Sequence, residues 1–187
     1  QIIATYKKGK PAIGSEVYEL KNYLNLTNFK LITGKYIPEV IDEIGKFDMV
    51  IMDTVHFTPG EILDILCLKN NIHKGTVIIL DDINIESRYP ELYKENLNSV
   101  SSNPMILSSL RGELLFPDNI FPEIGGIVLK DNNIDESRLL LCLCHKWNSD
   151  ILDSKEKYFC KLKELYGEEF LSKLVVIYNK YKYSNFN

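Results

Sequence analysis

The sequence predicts an α/β protein: a mostly parallel sheet with helices on both faces, a terminal antiparallel strand pair and a helical C-terminal tail. Three observations predict it. Short β-prone runs alternate with helical segments through the first half of the chain, the pattern of parallel strands joined by crossovers. Two of those runs, "MVIM" and "TVIIL", are continuously apolar, as strands covered on both sides are. From Ser149 to about Tyr183 the apolar residues recur mostly at helical spacing.

The elements follow in order. "IIATY" (Ile2 to Tyr6) is short and β-prone, and "KKGKPAIGS" after it is turn-rich. Val17, Leu20, Tyr23 and Leu24 fall at helical spacing, with Ser15 placed as the cap of a helix over 15–24. "FKLIT" (Phe29 to Thr33) is a strand closed by Gly34, and "IPEVIDEIG" (Ile37 to Gly45) a helix ended by Gly45. "FDMVIMD" is the next strand. Thr58 caps the helix after it, with Pro59 in the first turn and Ile62, Leu63, Ile65, Leu66 and Leu68 on a wide apolar face. "GTVIILDD" is again a strand, and "YPELYKENLNSV" is helical. "PMILSSLRGELLF" (Pro104 to Phe116) and "IGGIVLK" (Ile124 to Lys130) form the terminal strand pair. The division expected is an α/β domain over 1–148 and an amphipathic helical tail over 149–187, broken near Gly167. The tail packs on the domain or against a second subunit in a homo-oligomer.

Composition narrows the function classes. The 187 residues make about one domain, and the net charge of -4 with no long basic block argues against a nucleic-acid partner. No apolar run reaches the roughly 20 residues that cross a bilayer, so no membrane partner is expected. "QIIATYKKGKP" is too short and too quickly charged for a signal peptide. The first residue is Gln, which points to a processed or truncated piece. The four cysteines, Cys67, Cys142, Cys144 and Cys160, contain no CxxC pair and read as reduced thiols of a cytoplasmic protein. His145 beside Cys144 has no second cluster to complete a zinc site. His73, near a helix end, reads as a C-terminal cap.

The chemistry concentrates where apolar strands stop on acid. Asp53 ends one strand, Asp81 and Asp82 the next, and one strand–helix–strand crossover fits between them. Ligands of open α/β sheets bind beyond the carboxyl ends of the strands. Neighbouring strands lie about 4.8 Å apart, and two like charges 4 Å apart repel by roughly 4 kcal/mol at an effective dielectric near 20. One acid is therefore protonated, or a cation sits among them. All-oxygen ligands suit magnesium or another hard divalent cation. Asp81 and Asp82 are adjacent, so the chain must bend there for both to bind one ion. The competing reading is that these acids cap helices or close turns. His56, three residues after Asp53, has the intrinsic pKa of a general base near neutral pH, or caps the following helix.

The run "FDMVIMD…H…KGTVIILDDIN" resembles the class I S-adenosylmethionine-dependent methyltransferases, and among them the metal-dependent O-methyltransferases: catechol O-methyltransferase, the macrocin-type sugar enzymes and the cephalosporin hydroxylase-like family. The resemblance covers roughly Phe29 to Asn84 and implies a Rossmann-like fold. It implies Asp53, Asp81 and Asp82 as ligands of Mg2+ or another divalent cation, and His56 as the base. It implies Gly34, Lys35, Tyr36 and Asp53 at the S-adenosylmethionine site, and a sugar or phenol hydroxyl as methyl acceptor. No glycine-rich GxGxG turn occurs in the chain. If "IIATY" is the second strand of such a fold, the strand carrying that turn lies upstream of Gln1. Two alternatives stand beside this reading. One is an inactive or truncated methyltransferase-like interaction module. The other is a different magnesium-dependent α/β enzyme acting on nucleotide sugars or phosphates, although neither a P-loop nor an Asp-x-Asp pair is present.

Overall fold

The computed structural model describes residues 2–4, 23, 30–54, 58–88, 90–91, 101–117, 122–147 and 155–182. The chain is α/β. Strands β1 (Ile2–Ala4) and β2 (Leu31–Thr33) pair in parallel as a two-stranded sheet. Strands β3 (Met49–Met52), β4 (Val77–Leu80), β5 (Gly112–Leu115) and β6 (Gly125–Leu129) form a second sheet in the order β3-β4-β6-β5. Within it β3 and β4 are parallel, and β6 runs antiparallel to both β4 and β5. The terminal antiparallel pair is present, but the four-stranded sheet is mixed, not mostly parallel. Inserting β6 beside β4 replaces a parallel neighbour with an antiparallel one.

Helix α1 (Gly60–Cys67) joins β3 to β4 and is buried at every position. It starts at Gly60 with Pro59 in the capping position, one residue after the Thr58 expected there. The short α2 (Ile85–Arg88) follows β4, and α3 (Asn103–Ser109) precedes β5. The segment expected to be a strand from Pro104 is thus helical up to Ser109. Its apolar Ile106 and Leu107 each lie one helical turn from Leu110, and all three are buried. Helix α4 (Glu136–Cys142), capped by the Asp135 carboxylate on the Arg138 N–H, escaped the sequence reading. The tail is helical: α5 (Lys155–Tyr166) and α6 (Glu168–Tyr181), broken at Gly167 with φ +86°.

Residues 37–45 do not form the expected α-helix. They make two 3-10 turns, Ile37–Glu39 and Ile41–Glu43, separated by Val40 at φ −129°. The reason lies at Asn71. Its buried side-chain amide donates to the carbonyls of Ile41 (3.1 Å), Ile44 (2.7 Å) and Gly45 (3.2 Å), which closes the segment from outside. His73 is no helix cap either. Its ring bridges the Lys74 carbonyl (2.8 Å) and the Asp48 carboxylate (3.3 Å).

The core gathers α1, one sheet face and the terminal helices. Val50, Met52, Ile78, Leu80, Ile127 and Leu129 turn inward, while Met49 and Ile51 on the opposite side of β3 are 54% and 67% exposed. Among the described residues the second face is therefore uncovered at β3, where continuous burial was expected. The segment read as a helix over 15–24 lies outside the described residues, apart from Tyr23, which is helical and exposed. Trp147 is fully buried. Its indole N–H donates to the Leu143 carbonyl (2.8 Å), its backbone N–H to the Tyr181 carbonyl (3.1 Å), and its ring lies 5.5 Å from that of Tyr178.

Candidate functional site

The rim begins where β3 and β4 end together. Met52 pairs with Leu80, so Asp53 and Asp81 are the next residues on neighbouring parallel strands, and the Asp81 N–H donates to the Met52 carbonyl at 3.1 Å. Both inward positions before them are buried. Asp53 is exposed and Asp81 and Asp82 are half-buried. The chain bends as the sequence required: Asp82 takes φ +50°, a left-handed conformation that aspartate tolerates better than most side chains. That bend turns Asp81 onto its own neighbour, its Oδ1 accepting from the Asp82 N–H at 2.9 Å. Among the described residues, no three His, Cys, Asp or Glu side chains gather closely enough to hold one ion. The three-carboxylate cage is therefore not assembled, although Asp53 and Asp81 emerge side by side. His56 lies outside the described residues.

Around these loops runs a polar network that the sequence reading missed. Glu61, on the first turn of α1 and fully buried, accepts from the Thr54 N–H at 3.2 Å and the Thr54 hydroxyl at 3.4 Å on one oxygen. Its other oxygen accepts from the Ser102 hydroxyl at 3.4 Å. Asn103 is fully buried and donates its amide to the Asp81 carbonyl. The loop after β3 and the loop after β4 are thereby tied to α1 and to the start of α3. On the far side of the second loop, the Ile83 N–H donates to the Glu123 carbonyl at 2.8 Å, and Arg88 pairs with the Glu123 carboxylate. The only signal available in the sequence was Glu61 and Asp64 standing three apart on an otherwise apolar helix, where burial of an acid requires a donor.

Gly34, Lys35 and Tyr36 follow β2. Gly34 takes φ +68° and faces open space where a Cβ would lie. Lys35 sits 3.8 Å from Glu39, and the Tyr36 N–H donates to Glu39 at 2.9 Å. Lys157 of α5 approaches Glu39 at 2.9 Å; its ammonium, with the Tyr36 N–H, holds that carboxyl below the usual range. The Tyr36 ring meets the Tyr158 ring edge-on at 6.3 Å. Tyr158 in turn donates to Asp64 of α1 at 2.5 Å. This set of contacts connects the Gly34 turn, through α5 and α1, to the rim bearing Asp53.

A polar cleft of about 250 Å³ opens between Arg111 and residues 133–137. It lies at the end of the sheet opposite Asp53 and Asp81, because Arg111 precedes β5 and residue 133 follows β6. Comparison of the chain with protein-family models, curated proteins and solved structures finds no match.

Proposed function

We propose that the chain is an S-adenosylmethionine-dependent O-methyltransferase that uses a divalent cation to methylate a small-molecule hydroxyl. The observation that carries this reading is the register of β3 and β4, which delivers Asp53 and Asp81 side by side at the carboxyl ends of neighbouring parallel strands. The finer, Rossmann-like assignment belongs to the same proposal. It draws support from two parallel strand pairs followed by an antiparallel terminal pair.

Magnesium keeps several waters and is commonly held by one or two carboxylates. Asp53 and Asp81 fit such a site, with Asp82 contributing the backbone bend and not a third ligand. When bound, the ion supplies Lewis acidity that eases loss of the acceptor's proton. Asp53 and Asp81 orient the acceptor, and His56 is the proposed base. Glu61, Ser102 and Asn103 hold the two loops at a fixed separation. The left-handed turn at Gly34, open where a side chain would stand, offers a place for the flat edge of the cofactor.

Calorimetry on the full chain tests the reading. S-adenosylmethionine should bind, and Asp53→Asn should weaken Mn2+ or Mg2+ binding about tenfold or more, as loss of a charged ligand does. The reading is overturned if the cofactor does not bind, or if Asp53→Asn retains full methyl transfer in chelator. One observation favours the second reading, a catalytically inactive interaction module: the apolar Met49 and Ile51 stand exposed on β3. Normal methyl transfer would exclude it.

A further inference from the structure

We infer that Asn103 is a cation-binding residue: its side-chain Oδ1 is the third oxygen, beside the Asp53 and Asp81 carboxylates, of a divalent-ion site at the ends of β3 and β4. The ladder between those strands sets the place. The Val77 N–H donates to the Asp48 carbonyl at 2.9 Å and the Asp81 N–H to the Met52 carbonyl at 3.1 Å. In a parallel ladder of this register the next bond would run from the Thr54 N–H to the Asp81 carbonyl. Instead the Thr54 N–H donates to Glu61 Oε1 at 3.2 Å, and the Asp81 carbonyl accepts from Asn103 Nδ2. The two strands therefore part at the step where Asp53 and Asp81 stand opposite each other, and the Asn103 amide takes the place of the missing ladder donor.

Asn103 is the first residue of α3 and is fully buried. A carbonyl only accepts, so the amide atom that meets Asp81 is Nδ2 and the other is Oδ1. Among the described residues Oδ1 is buried and has no donor. Buried acceptors in native folds are nearly always paired, and an ion is one of the partners that accounts for an exception. The groups beside it are acceptors as well. Asp53 and Asp81 leave the sheet at this step, and the Asp82 N–H engages only Oδ1 of the Asp81 carboxylate. Carboxylates and an amide oxygen are the ligands of a hard divalent cation. A single hydroxyl proton could serve only one of them. An ion bound at about 2.1 Å also needs less room than a water hydrogen-bonded at about 2.8 Å, which suits an oxygen closed off from solvent. Asn103 in this role depends on the metal-assisted reading proposed above, and it supplies the ligand that Asp82 does not.

Mn2+ binding to the full chain, followed by calorimetry and by water-proton relaxation of the bound ion, tests this role. Asn103→Ala should weaken Mn2+ binding about tenfold or more. The ion that still binds should carry about one more water, because solvent replaces a lost protein ligand. Asn103→Asp keeps an oxygen and gives up the amide donor, and it should bind Mn2+ at least as tightly as the natural chain. Loss of binding in both variants with an unchanged water count would show that Asn103 only ties the Asp81 loop, and would overturn the role. If Asn103→Ala does not fold, the natural chain carries the test: saturating Mg2+ should shift the Asn103 side-chain amide signals in NMR, and unmoved signals overturn the role. Mn2+ binding that Asp53→Asn weakens and Asn103→Ala does not would remove Asn103 and leave the metal site standing. Absence of Mn2+ binding to the natural chain would overturn both. Mn2+ binding that depends on Asn103, without binding of S-adenosylmethionine, would support the role and overturn the methyltransferase reading.

Discussion

At the scale of single residues, Asp64 sets a stability gradient whose sign is fixed by the direction of its shift. Its carboxyl titrates at about 7 in the folded chain against an ordinary value of 3.8. Between those values the folded state holds a proton that the unfolded state has released. Stability therefore falls as pH rises through this window, and the loss is complete above it. The full swing is roughly 4 kcal/mol, an upper figure that water entry reduces. Asp64→Asn keeps an acceptor for Tyr158 and removes the ionisation. Urea melts should show its advantage over the natural chain growing from about pH 4 to about pH 8. An advantage that stays constant with pH would contradict this account. Exposed pairs such as Glu169 with Lys173 run the other way, the ammonium hydrogen bond holding that carboxyl below its usual range.

At the scale of elements, Asn71 shows what a short-range pattern leaves out. One buried amide, 26 to 30 positions away in sequence, takes three carbonyls of the segment 41–45. Asn71→Ala should cost about 1–3 kcal/mol, the price of buried acceptors left without donors, and chemical denaturation would measure it. A cost within about 0.5 kcal/mol, as for a surface substitution, would show that water satisfies those carbonyls. The same distance dependence explains which elements were legible. Strands β3 and β4, the joining helix α1, the terminal hairpin strands and the break at Gly167 follow from apolar runs and glycines, which act locally. The 3-10 turns at 37–43 depend on a partner far along the chain. So does the Glu61–Thr54–Ser102 set. The side-by-side exit of Asp53 and Asp81 was legible because the crossover length fixes it. The failure of Asp82 to complete a three-acid cage was not, since it depends on which way one peptide turns.

At the scale of the whole molecule, strand β3 is two-sided in sequence and one-sided in burial. Val50, Met52, Ile78 and Leu80 meet the helices, and Met49 and Ile51 do not. Ile51→Lys should therefore change folding stability by no more than about 0.5 kcal/mol, as at other surface positions. Thermal melts would check this, and a loss of several kcal/mol would mean that the face is covered in solution. The described helices include none long and apolar enough to cross a membrane. The terminal helices are fastened to the sheet domain at several separate points. Tyr166 donates to the Leu66 carbonyl at 2.9 Å and Lys69 to the Leu165 carbonyl at 2.9 Å. Burial works against the Lys161 charge, but the Asp42 and Glu164 carboxylates overcome it and hold the ammonium protonated.

Trp147 is the only tryptophan in the chain, and it is clamped between α4 and the end of α6. Its fluorescence consequently reports one event, the release of the last helix, and reports it without a label. An emission red shift that precedes the loss of far-ultraviolet ellipticity would show the C-terminal helix peeling away before the sheet melts, and coincident curves would show the two parting as one body.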